Sequence, residues 1–151
     1  MTSIKTKEQP VLLTIRSEQR YTDMDPDSIE LVTEGTLSVT REGEIRLSYE
    51  ESELTGMEGT TTVFTVQGPR VILSRTGRVN SQMVFEEGKQ HTSLYETPFG
   101  ELAIDIQTSR LRHSLTERGG LLDLQYSISV DHSAAGRNAF KIRVRPAPAK
   151  S

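Results

Sequence analysis

Apolar residues alternate with polar ones at a period of two along most of this chain, and the 3.6-residue period of a helix is almost absent. A segment patterned this way offers one face to a core and one to water, which is the signature of a strand in an antiparallel sheet. Ile29, Leu31, Thr33, Gly35, Leu37 and Val39 form one such face against Glu30, Glu34, Thr36 and Ser38. Ile45, Leu47 and Tyr49 repeat it after the turn Arg41-Glu42-Gly43, Leu122 to Val130 gives the cleanest example, and Phe140, Ile142 and Val144 give the last. Further strands are expected over residues 11–19, 60–67, 70–75, 79–85, 90–97 and 101–108, separated by turns that carry glycine or proline. No gap leaves room for a crossover helix. The expected fold is therefore all-β, a closed or nearly closed antiparallel up-and-down barrel of about 8–10 strands, with a β-sandwich as the alternative. Gly35 lacks a side chain midway along a long strand, where a barrel strand can bend.

At 151 residues the chain suits a single domain. The expected division is a flexible lead over 1–10, one barrel domain over 11–145, and a flexible tail over 146–151. Hydrophobic residues make up only 34% of the chain, which fits a thin core with solvated outer faces. The absence of cysteine excludes disulfides and thiolate metal sites, and with it the expected compartment is cytoplasmic. Residues 1–10 hold no apolar core of a secretory signal. No apolar run approaches the roughly 20 residues of a membrane-spanning helix, so no membrane insertion is expected. A net charge of −3 argues against broad nucleic-acid affinity.

Five segments in order resemble a known family. They are Leu47-Ser48-Tyr49-Glu50-Glu51, Gly59 to Phe64, Leu73-Ser74-Arg75-Thr76-Gly77, Met83 to Gly88, and Tyr95 to Glu101. Together they are similar to the YwiB-like family of small bacterial proteins of unknown function, across residues 11–131. The resemblance implies a calycin-like, lipocalin-type barrel in the bacterial cytoplasm and carries no reaction or catalytic residue with it.

Short enzyme signatures are absent, and His91, His113 and His132 show no metal-ligand spacing, so neither catalysis nor a cofactor or metal is expected. The acidic run Asp23 to Asp27 has the look of a calcium loop, but Ser28 stands where that loop needs glycine, and the run reads as a turn. Lys141, Arg143 and Arg145 share one face of the last strand, with Arg137 in phase. Such a stripe could contact phosphates, but it is also the usual protection of a sheet edge, and with no aromatic interleaved on its face nucleic acid is not an expected partner.

Arg75 is the charge that matters most. If Val71 and Leu73 face the interior, alternation turns Arg75 inward, where a guanidinium needs a partner; Glu96 and Glu51 are both in phase to provide one. If Ile72 and Ser74 face inward, Arg75 is exposed. In the first case Tyr49, Arg75, His91, Tyr95 and Glu96 would hold the polar head of a ligand while Met83 and Phe85 line its apolar part. The leading expectation is a non-catalytic binding module for a small amphipathic or lipid-like ligand. The alternative is an interaction protein with a filled barrel, acting through its outer face or as a homodimer.

Overall fold

The computed structural model describes residues 7–20, 27–53, 57–78, 80–97, 99–131 and 133–147, except for the side chains at 7, 95–97, 134 and 135. Ten strands follow one another: β1 Lys7–Arg20, β2 Asp27–Val39, β3 Ile45–Glu50, β4 Thr60–Gln67, β5 Arg70–Gly77, β6 Ser81–Glu86, β7 Gln90–Thr97, β8 Gly100–His113, β9 Gly120–Val130 and β10 Ser133–Pro146. They form one sheet in the order β6-β5-β4-β3-β2-β1-β10-β9-β8-β7, with every neighbouring pair antiparallel. This is an up-and-down meander that the β1–β10 ladder folds back on itself, giving a nearly closed barrel. The remaining seam lies between β6 and β7, and the turn joining them bridges it to β8. There Gly88 N donates to Thr108 O at 2.8 Å, and Thr108 N donates to Lys89 O at 3.1 Å. A β-bulge between Thr108 and Arg110 bends β8 at this closure.

The same bulge explains why residues 109–113 lose their alternation although β8 continues to His113. A second bulge, between Ala134 and Gly136, hides the start of β10 in the same way. At the other end of the chain the expected lead is shorter than the sequence suggests, because residues 7–10 already pair with β2, from Lys7↔Val39 to Pro10↔Thr36. The rest of that lead, residues 1–6, and the tail over 148–151 lie outside the described residues.

Inward positions of every strand from β1 to β6 supply the core, with Leu13, Leu37, Leu47, Phe64, Leu73 and Phe85 almost completely buried. Aromatic rings run across the interior as a column. Phe64 meets Phe140 edge-on at 6.2 Å, Phe140 stacks with Tyr126 at 6.4 Å, and Tyr126 tilts against Phe85 at 4.7 Å between centroids. The column joins β4, β10, β9 and β6, so most of the barrel is filled by side chains.

Gly35 serves close approach rather than bending alone. A Cβ there would stand 2.5 Å from the Ser48 carbonyl oxygen and 2.8 Å from Leu13 Cδ1. One contact is backbone and the other a packed core side chain, so neither yields cheaply. Gly35→Ala is expected to lower stability by about 2–3 kcal/mol, read as the urea midpoint with an unchanged slope. Beyond Gly35 the strands part: β2 pairs with β1 along its full length, whereas β3 meets β2 only from Thr36 to Val39. The β1–β2 hairpin thus projects past β3 and opens space at one end of the barrel.

Candidate functional site

That space is a cavity of about 120 Å³ lined by Ile15, Ile29, Leu31 and Phe140 on one side and by Tyr49, Glu51 and Arg75 on the other. Arg75 arrives there through strand phase. It follows Val71 and Leu73, both 1% exposed, and stands opposite Thr62, itself fully buried. Of the two orientations open to β5, the inward one therefore holds. The Arg75 side chain is 13% exposed and its Nε lies 3.9 Å from Glu51 Oε2, while the Glu51 side chain is 1% exposed. The Thr62 hydroxyl donates to Glu51 Oε2. Glu51 Oε1 and Arg75 Nε are both enclosed and have no hydrogen-bond partner among the described residues. Burial, reinforced by the neighbouring Glu51 carboxylate, pushes the Tyr49 phenol far above its ordinary range, so it keeps its proton at all physiological pH.

The seven residues marked out by the sequence are distributed as follows. Tyr49 and Arg75 come together, joined by Glu51, the second of the two candidate partners. Met83 and Phe85 are buried, but in the packed core: Met83 faces Leu73 across the β5–β6 ladder, and Phe85 lies against Tyr126. His91 is at the opposite end of the barrel. Its Nε2 is 3.6 Å from Glu86 Oε1, and Glu86 pairs with Arg70, five positions along β5 from Arg75. Lys89, 2.9 Å from Glu86, holds that carboxyl below its usual range. Leu94, two residues before Glu96 and in phase with it, is 65% exposed on the edge strand β7, where a ladder on one side only fixes the phase weakly. The side chains of Tyr95 and Glu96 lie outside the described residues. Thr62 escaped sequence reading because its role depends on register: it sits opposite both Tyr49 and Arg75, which only the β3–β4 and β4–β5 ladders reveal.

A broader depression, about 950 Å³, opens on the outer face where β2 leaves β3, and Tyr49 borders both it and the interior cavity. Among the described residues no group of three or more His, Cys, Asp or Glu is placed to hold a metal ion. Among the same residues no helix is long and apolar enough to cross a membrane.

Fold and site together define a nearly closed, ten-stranded antiparallel barrel, packed through most of its length and polar at one end. The chain belongs to the family described as Domain of unknown function (DUF1934), whose model matches residues 13–142. It is similar to the uncharacterized beta-barrel protein YwiB of Bacillus subtilis (strain 168), with 27% identity over 124 residues covering 82% of this chain and 84% of that protein. The crystal structure of the Bacillus subtilis ywiB protein has the same fold, with a TM-score of 0.71 and 24% identity over 90% of this chain and 92% of that one.

Proposed function

We propose that this barrel is a non-catalytic binding module that holds a small amphipathic ligand at its Arg75–Glu51 end. The observation that carries the reading is a cavity walled by Arg75 and Glu51, whose buried Nε and Oε1 atoms have no hydrogen-bond partner among the described residues. A buried polar atom left without a hydrogen bond costs about 1–3 kcal/mol, so an occupant that meets both atoms recovers that cost on binding. The head that does so accepts from a guanidinium and donates to a carboxylate, as a primary amide does through its C=O and N–H. Ile15, Leu31 and Phe140 receive the apolar part. A space of about 120 Å³ matches roughly four water molecules, which restricts the enclosed part to a short molecule or to one end of a longer one and leaves no room for a whole acyl chain.

Titration with butyramide, followed by thermal unfolding, tests the proposal. The melting temperature of the wild type is expected to rise with concentration, by the equivalent of about 2.7 kcal/mol at a hundredfold excess over Kd. The double variant Arg75→Met/Glu51→Gln is expected not to respond. Equal responses in both proteins, or none in the wild type with butyramide, butyrate and butanol alike, would refute it.

A further inference from the structure

The basic stripe of the last strand requires a new explanation, because β10 is not an edge. It is paired with β1 from Val11↔Pro146 to Arg20↔Arg137 and with β9 from Ser133↔Val130 to Val144↔Gly120. A strand hydrogen-bonded on both sides has no exposed edge to protect. The β1–β10 register also widens the stripe. Arg20 faces Arg137 and Arg16 faces Lys141 directly across the ladder, with Arg143 opposite Thr14 and Arg145 opposite Leu12. All six cations are exposed. Like charges placed directly opposite one another destabilise a sheet, and here two rungs carry them.

We infer that the outer face of β1 and β10 binds the phosphate backbone of a single-stranded nucleic acid. From Leu12↔Arg145 to Arg20↔Arg137 nine rungs span about 27 Å, in a band two strands wide. Carboxylates border the band. Glu30 on β2 is 3.9 Å from Arg16, Glu34 stands opposite Leu12, and Asp123 on β9 faces Lys141 while bound to Arg110 at 2.9 Å. Within the band, Glu18 contacts Arg20 at 3.1 Å. A narrow positive line between negative margins suits a linear polyanion, whereas a flat anionic membrane would meet the bordering carboxylates as well. At one end of the line a polar groove of about 530 Å³ brings Arg20 and Arg137 together with Gln125, Ser127 and Asn138, side chains of the kind that bond phosphate and sugar oxygens. Among the described residues no exposed aromatic lies on this face, since Phe99, the one large exposed ring, is in the β7–β8 turn. Contacts to phosphate and sugar carry no sequence information, so binding along this band is independent of sequence.

Fluorescence anisotropy with labelled 20-nucleotide oligo-U and oligo-dT tests this on the full chain. With about five phosphates neutralised, the log–log salt slope is expected near −3.5, which is about a hundredfold loss of affinity between 50 and 200 mM salt. RNA and DNA should bind alike. Lys141→Thr/Arg143→Thr should make the slope shallower by about 1.4 and weaken binding at least tenfold at 50 mM salt. Arg46→Thr/Arg70→Thr removes the same charge from exposed positions on β3 and β5 and should leave the slope unchanged; circular dichroism checks that both variants fold. The inference is overturned by absence of oligonucleotide binding at 50 mM salt, by equal effects of the two double variants, or by binding to phosphatidylserine vesicles or polyglutamate in place of both oligonucleotides.

Discussion

Arg75→Met is expected to cost about 3–5 kcal/mol of unfolding free energy at neutral pH, and Glu51→Gln in the same chain to restore most of it. The asymmetry follows from burial. With the guanidinium gone, a carboxylate whose side chain is 1% exposed keeps only the neutral Thr62 and Tyr49 hydroxyls, and an uncompensated charge in that position is far more costly than the ion pair is stabilising. Glu51→Gln removes the charge and leaves a group able to accept from Thr62, while methionine keeps much of the arginine's apolar stem. Urea unfolding of the two single variants and the double variant closes the cycle. A strongly negative coupling, in which the double variant is more stable than Arg75→Met alone, is the expected outcome. Additive effects would mean that Arg75 and Glu51 do not sense each other.

Phe85→Ala is expected to lose about 3–5 kcal/mol, the largest effect of any single truncation in the aromatic column. Phe85 is fully buried and its ring lies 4.7 Å from Tyr126, so it ties β6 to β9 across the interior beside the seam that no ladder closes. Neighbouring strands cannot easily collapse into the void, because β5 holds β6 in register on its other side. Phe85→Leu, which keeps most of the volume, should lose much less. Urea midpoints with unchanged slopes for both variants are the check. A Phe85→Ala protein as stable as the wild type would contradict a filled barrel at this level.

Much of the fold was legible because strand phase is a local property. The alternation of Ile45, Leu47 and Tyr49, or of Leu122, Leu124 and Tyr126, is written in consecutive residues, and all of these face the core. Alternation stopped being informative at the bulges after Thr108 and Ala134, where an inserted residue shifts the phase, and so the start of β10 and the end of β8 were hidden. The candidate site was less legible, because it is made by register. Tyr49, Thr62 and Arg75 lie on three strands and meet only because Tyr49 pairs with Thr62 and Thr62 with Arg75. Residue type alone groups His91 with them, yet the direction of β7 carries it to Glu86 at the far end. The basic stripe was visible in Arg137, Lys141, Arg143 and Arg145, but its meaning depended on sheet order. Only the closure of β1 onto β10 shows that the strand is internal and adds Arg16 and Arg20 to the same band.

The central claim is that the polar end of the barrel is built around an occupant, and native mass spectrometry of the protein purified from its own host tests it most directly. The expected result is a wild-type population carrying a small bound molecule that is absent from Arg75→Met/Glu51→Gln purified in the same way. Identical, ligand-free masses for the two proteins under conditions gentle enough to preserve weak complexes would contradict it.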